Sequence, residues 1–263
     1  MIVNKQKLLE VKAQFGHLKK YRHPQIKPFL YENKEKKDAL WNIFDLEKLI
    51  NCCQMVFHEV KKITAEKKII LFVGTKKHAK EIIKEKAIDC HSPYMANKWP
   101  GGLLTNFEET TKQIKNLKFL ESLVQSNHFQ KLPKKEKKSL EGKRKKLKTF
   151  YEGISNLKCL PHCIFVVDPF KEKTAVEEAK TLGISVIALC SSNYNPQMVD
   201  YFLLGNNHNA QSISFFVNLI TEAIKETCFS SSKISKLKQN EKTSEKKYKE
   251  KIINNSKENG RTL

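Results

Sequence analysis

Residues 69–77 read Ile-Ile-Leu-Phe-Val-Gly-Thr-Lys-Lys, a short apolar run followed by a glycine and two cations. An apolar run of this kind predicts a strand buried on both faces, as in a parallel sheet, and the residues after it predict a helix to about Lys86. A P-loop needs a first glycine five residues before its Gly-Lys-Ser/Thr, and here the strand occupies that place. A nucleotide-binding α/β enzyme that uses the Gly74–Lys77 turn is therefore the alternative interpretation, and not the leading one.

The rest of the chain repeats this alternation of strand and helix. Further strands are predicted at residues 93–96, 164–167, 185–189 and 201–204, and helices at residues 4–13, 46–60, 174–182 and 213–224. Gly183 stands where a helix C-cap is expected. Strands separated by helices form βαβ units, so the fold class is α/β with a parallel sheet and right-handed crossovers.

One segment departs from this alternation. Two apolar stripes at helical spacing flank residues 126–133, and they predict a helical hairpin of coiled-coil character. The stripes are Ile114, Leu117, Leu120 and Val124 on the first arm, and Leu140, Leu147, Tyr151 and Ile154 on the second. The predicted organisation is one α/β domain from residues 1–106 and 156–227, an inserted hairpin at 107–155 and a disordered basic tail at 228–263.

The charge of the chain indicates a polyanionic partner. The formal net charge is +21 and the isoelectric point is near 9.6. Nucleic acid is the leading partner and an anionic membrane surface the second. Residues 107–158 hold 14 basic and 6 acidic side chains, whereas residues 159–227 hold 4 and 7. Lysine supplies 46 of the 49 basic residues, which favours phosphate contacts over the reading of bases by arginine.

The segment from Phe15 to about Asn42 is predicted to be a long functional loop in which aromatic and basic residues alternate. Interleaved rings and cations suit stacking on RNA bases and pairing with phosphates. Alternatively, the rings hold the loop against the core. A histidine in such a loop is far more often a hydrogen-bonding or RNA-contacting residue than a catalytic one. The candidate RNA-binding residues here are Phe15, Gly16, His17, Lys19, Lys20, Tyr21, Arg22 and Lys27.

Two other segments carry candidates for the same interface. Residues 97–106, Asn-Lys-Trp-Pro-Gly-Gly-Leu-Leu-Thr-Asn, suit either close approach to a flat anion or a tight turn with a core tryptophan. The second hairpin arm is rich in lysine, which fits an anionic contact or a solvated helix face. The candidates are Lys98, Trp99, Gly101, Gly102, Thr105 and Asn106 in the first segment, and Lys134, Lys135, Arg144 and Lys145 in the second.

The cysteines do not predict a metal site or a disulfide framework. Seven cysteines at irregular spacing indicate reduced thiols. Residues 159–163, Cys-Leu-Pro-His-Cys, cluster thiols with an imidazole, but a structural zinc site needs about four ligands, and no second pair stands at a suitable spacing. No metal, cofactor or small-molecule substrate is expected.

Taken together, these motifs resemble ribosomal protein two of the small subunit, of the bacterial and organellar type. The resemblance runs in order from about residue 5 to 227, and it rests on Phe15-Gly16-His17, Tyr21, Pro24 and Lys27-Pro28-Phe29, then on residues 43–48, 70–76, 99–106, 166–169 and 183–184. It implies a Rossmann-like three-layer sandwich with a protruding α-helical hairpin. It also implies a structural role in translation, between the head and body of the small subunit, with rRNA and neighbouring ribosomal proteins as partners and no catalytic activity.

The chain departs from the family pattern at three places. Lys98 stands where the family has arginine. Residues 191–196 and 205–208 carry neutral side chains where the family has carboxylates, which puts any cation bound there in doubt. The lysine bias and the absence of a targeting peptide suggest a plastid-encoded copy on a chloroplast ribosome, with a bacterial cytoplasm as the alternative.

Overall fold

The computed structural model describes residues 3–31 and 40–228, so the predicted basic tail from residue 229 onward lies outside the described residues. The helices are α1 (Lys5–Glu10), α2 (Leu46–Ala65), α3 (Lys77–Asp89), α4 (Phe107–Gln125), α5 (Asn127–Lys131), α6 (Lys134–Tyr151), α7 (Lys173–Thr181) and α8 (residues 210–228). The strands are β1 (Phe15–Leu18), β2 (Trp41–Ile43), β3 (Ile70–Val73), β4 (Tyr94–Met95), β5 (Cys163–Val167), β6 (Ser185–Cys190) and β7 (Tyr201–Leu204).

The main sheet has five parallel strands in the order β4-β3-β5-β6-β7. Strands β3 and β5 are buried at every position, because helices cover both faces of the sheet. Their register places Phe72 beside Phe165, whose rings meet edge to face with centroids 5.6 Å apart. The predicted α/β class and the Rossmann-like three-layer sandwich are confirmed.

Local signals set several helix ends. The Asp45 side chain accepts a hydrogen bond from the Glu47 N–H and begins α2. Gly183 adopts a φ of +66° just after α7, as its predicted C-cap position requires. Helix α1 is shorter than predicted, because Lys12 turns into the left-handed region with a φ of +56°.

The prediction of one long loop from Phe15 to Asn42 was wrong at its two ends. There β1 and β2 form a small antiparallel pair in which Phe15 lies opposite Ile43. Strands of three and four residues are too short to show a period-two pattern. Between them lie turns of 3₁₀ helix at Lys19–Tyr21 and Pro24–Phe29.

The inserted helices form the hairpin that the apolar stripes predict. Ile114 and Leu117 of α4 are buried, and they pack against α6. Half-buried residues of α6 recur at alternating spacings of three and four, which is a coiled-coil seam. They are Lys137, Leu140, Arg144, Leu147 and Tyr151, and Phe150 is half-buried beside the last of them.

Candidate nucleic-acid interface

The crevice above β3 and β5 is where a doubly wound sheet ordinarily binds a ligand, because the strand order reverses between these two strands. Here a carboxylate occupies it. The backbone N–H and the hydroxyl of Thr75 both donate to Glu172 Oε1, at 3.1 and 2.5 Å. Glu172 is only 4% exposed. The donors that a phosphate would need are therefore already satisfied by an anion.

The lysine of the same turn is also engaged. Lys76 Nζ lies 2.5 Å from Asp168 Oδ2 and donates to the Asn207 carbonyl at 3.2 Å. Asp168 is itself buried at the end of β5. A triphosphate would have to displace this ion pair and sit beside two carboxylates. The geometry therefore gives no support to the nucleotide-binding alternative at Gly74–Lys77.

The segment from Asn97 to Asn106 wraps around the carboxylate of Glu178 in α7. Oxygen Oε1 accepts hydrogen bonds from Trp99 Nε1 at 3.0 Å and from the Gly102 N–H at 2.8 Å. Oxygen Oε2 accepts from the Leu104 N–H at 2.9 Å, and from the N–H and hydroxyl of Thr105 at 3.2 and 3.4 Å. Gly102 has a φ of +84°, which a side chain would strain. The segment is thus a turn built to bind this carboxylate.

The candidates of this segment divide into two groups. Trp99 is 8% exposed and packs in the core, so its ring is not open to stack on a base. Gly102 and Thr105 use their N–H groups on Glu178. Lys98, Gly101 and Asn106 are exposed and keep access to a partner, and Thr105 is exposed too although it donates to Glu178.

Hydrogen bonds hold Glu178 in its ionised form. Burial by itself would raise the pKa of this carboxyl, but the donors from Trp99, Leu104, Gly102 and Thr105 outweigh it, so that the pKa falls below its ordinary value of 4.5. Sequence reasoning missed Glu178. The available signal was its place on the apolar face of α7, beside Ala175 and Ala179, both of which are buried.

An exposed aromatic surface lies over β1 and β2. Tyr21 is 57% exposed and Phe15 37%, and Lys20 Nζ lies 4.8 Å from the centre of the Tyr21 ring. Trp41 joins them with 51% exposure, although sequence reasoning did not select it. The three rings line a cavity of about 530 Å³. Rings with cations beside them form a surface on which unpaired bases can stack.

Four basic candidates of the same segment are open to solvent. Lys19, Lys20, Arg22 and Lys27 are all exposed. Six of the eight candidates from this segment are therefore exposed, and Lys20 stands directly beside the Tyr21 ring.

Gly16 and His17 line the same cavity, but other parts of the fold engage them. A Cβ on Gly16 would lie 2.7 Å from Ser192 Oγ, and the His17 N–H donates to that oxygen at 2.8 Å. His17 Nε2 lies 3.0 Å from His208 Nε2, a hydrogen bond in which one ring donates and the other accepts. Burial, then His208 and Lys76, lower the pKa of His17 to about 4, and burial and Lys76 lower the pKa of His208. These residues attach β1 to the loops after β6 and β7.

The hairpin supplies the most concentrated positive charge. Helix α6 carries nine basic and two acidic side chains and has no buried residue. Lys134, Lys135 and Lys145 are exposed. Arg144 differs from them, because it is half-buried at the seam toward α4. Three of the four hairpin candidates therefore face solvent fully.

The described residues contain neither a metal-binding cluster nor a membrane-spanning helix. Among residues 3–31 and 40–228, no group of three or more His, Cys, Asp or Glu side chains is arranged to hold a metal ion. Over the same ranges, none of the helices combines the length and the apolar character needed to cross a membrane.

The fold and the surface define an α/β protein whose ligand crevice is filled by its own side chains and whose exposed groups suit a polyanion. The family model described as "Ribosomal protein S2" matches residues 8–227, and the chain belongs to this family. Similar proteins include the small ribosomal subunit protein uS2 of Buchnera aphidicola subsp. Baizongia pistaciae, 38% identical over 225 residues, which are 86% of this chain and 97% of the relative. The uS2 proteins of Campylobacter hominis and Helicobacter hepaticus are 40% and 38% identical over 225 residues, or 86% of this chain and 83% and 84% of the relatives.

Proposed function

We propose that this chain is a structural constituent of the small ribosomal subunit that binds small-subunit rRNA through exposed lysines. The observation that carries the proposal is helix α6, where nine basic residues meet two acidic ones and no side chain is buried. Because none of its side chains is buried, a helix of this composition gains little stability from packing. Its charge is best compensated by an external polyanion.

Most contacts in this proposal go to phosphates. A lysine is a compact charge without the planar fork by which arginine reads a base pair. The aromatic surface of Phe15, Tyr21 and Trp41 adds stacking on unpaired bases, which tolerates any sequence. The chain thus recognises the shape and charge of the folded rRNA, and the exposed Lys98 and Asn106 of the 97–106 turn add further contacts.

The role is not enzymatic. Family membership supports a structural ribosomal protein, and Glu172 and Asp168 close the crevice that a catalytic α/β protein would use. The partners are rRNA and neighbouring ribosomal proteins, and no membrane or small-molecule substrate enters the role. The seat between the head and body of the subunit is a proposal that rests on the resemblance of the motifs.

A more specific proposal concerns the compartment in which this ribosome works. The excess of lysine over arginine supports a plastid-encoded copy, whereas the relatives named above are bacterial. Mapping the gene to a plastid or a bacterial genome decides between them.

A salt titration of rRNA binding tests the electrostatic proposal. The logarithm of the binding constant should fall linearly with the logarithm of salt concentration, by about 0.7–0.9 units per phosphate contact. Lys134→Ala with Lys135→Ala should make that slope less negative by about 1.5 units. The matched control is Lys173→Ala with Lys180→Ala, two exposed lysines of α7 in the acidic part of the chain. Identical slopes for wild type and the α6 pair would refute the proposal.

A further inference from the structure

A polar cleft lies at the root of the hairpin, where α6 returns to the sheet. Its volume is about 330 Å³. One wall is the exposed face of α3, the other is the end of α6, and the floor is β4 with the residues that follow it. The side chains that matter are Lys80, Glu81, Lys84, Lys145, Lys148 and Glu152.

The cleft carries more positive charge than its own acids neutralise. Lys84 and Lys148 share Glu152, at 4.0 and 3.8 Å. Within the described part of the chain, no carboxylate forms an ion pair with Lys80 or Lys145. Lys80 is half-buried and lines the cleft. The unbalanced positive charge of the cleft therefore favours an anion from outside.

The lysines are placed in two facing rows. Lys80 and Lys84 are four residues apart on α3, and Lys145 and Lys148 are three apart on α6, so each pair spans about 5–6 Å along its helix. A row of positive charges on each wall matches a nucleic-acid backbone, whose phosphates repeat at regular intervals. A single small anion would engage only part of this arrangement.

The walls of the cleft are fixed before any partner binds. Asn97 Nδ2 donates to the Thr149 carbonyl at 2.6 Å and holds the end of α6 against the segment after β4. Gly153 packs so closely on β4 that a Cβ would lie 2.2 Å from the Tyr94 carbonyl oxygen. A preformed cleft avoids part of the ordering cost of binding.

We propose that this cleft binds one segment of RNA phosphodiester backbone at the junction of the hairpin and the sheet. The proposal rests on the proposed function and adds a site to it, since the sequence did not single out Lys80 or Lys84. RNA is favoured over an acidic peptide because Lys145 and Lys148 continue the basic face of α6 into the cleft. A backbone that follows α6 enters the cleft without leaving the protein surface.

Charge reversal tests the cleft directly. Lys80→Glu should weaken binding of small-subunit rRNA at least 10-fold at about 0.1 M salt, where exposed charges are still felt over about 10 Å. The matched control is Lys86→Glu on the opposite side of α3, which should change binding less than 2-fold. Lys80→Gln is the milder second variant, and it should weaken binding about 3-fold. Thermal melts of all three variants verify that they are folded.

A photo-crosslinking residue at position 81 gives an independent readout. In the full chain bound to rRNA, it should crosslink to one discrete backbone region. If Lys80→Glu binds rRNA as tightly as the wild type, the cleft is not an RNA site. The same follows if the labelled chain binds rRNA but gives no such crosslink. Either result would leave the proposed function standing. Failure of the wild-type chain to bind rRNA at all would overturn both.

Discussion

Replacing Glu178 by glutamine should destabilise the protein strongly, although the side chain hardly changes size. An amide has one acceptor oxygen, so whichever way it turns, the donors on the other side face an NH₂ group. In one orientation the buried Trp99 Nε1 loses its acceptor, and in the other orientation the buried Leu104 N–H loses it. An unsatisfied buried donor costs about 1–3 kcal/mol, and the remaining bonds lose the added strength of a charged acceptor. The expected loss in free energy of unfolding is about 2–4 kcal/mol.

Glu177 provides the control, because it is adjacent in α7 and exposed. Its ion pair with Lys173 is 3.5 Å long on the surface, and Glu177→Gln should cost less than about 0.5 kcal/mol. Urea unfolding of both variants and the wild type measures the two differences. A loss for Glu178→Gln no larger than that for Glu177→Gln would refute the role given to this carboxylate.

The pH dependence follows from the same contacts. The pKa of Glu178 is lower in the folded chain than its ordinary value of 4.5, so its contribution is fully present above that value and is lost as pH falls through the folded pKa. Wild-type stability should therefore decline more steeply below about pH 4.5 than that of Glu178→Gln. Parallel declines of the two proteins would contradict the ionised, hydrogen-bonded state.

Two further predictions concern the hairpin root and the closed crevice. Gly153→Ala should destabilise the protein by about 2–4 kcal/mol because its Cβ would meet a backbone carbonyl, whereas Gly142→Ala, with no atom within 4 Å, should stabilise α6 by about 0.5–1 kcal/mol. Equal effects in thermal melts would contradict the close packing at residue 153. Magnesium ATP should produce no saturable rise in melting temperature, since Glu172 occupies the Thr75 donors; a saturable rise would show that the crevice opens.

Much of the fold could be predicted because its signals are local. The apolar runs gave β3 and β5 nearly to the residue and β7 at its observed bounds. The hairpin followed from stripes at a spacing that only a packed helix pair explains. A buried parallel strand appears in the sequence as consecutive apolar residues, and a coiled-coil seam appears as apolar residues at a regular spacing.

The site was harder to predict because its decisive contacts join residues far apart in the chain. Nothing in the sequence near Trp99 shows that its indole N–H meets Glu178, 79 residues later. His17 looked like an RNA-facing residue, but its partners Ser192 and His208 lie beyond residue 190. Composition identified a basic, aromatic surface, and only the fold showed which of its residues are already hydrogen-bonded within the protein.

Small ribosomal subunits that lack their uS2 protein provide the most direct test of the proposed role. Purified chain is mixed with such subunits, and the mixture is sedimented through a density gradient at physiological salt. The chain should move with the subunits at about one copy each, and the Lys134→Ala, Lys135→Ala pair should move with them less completely. A wild-type chain that stays at the top of the gradient, while its melt shows it folded, would contradict the ribosomal role.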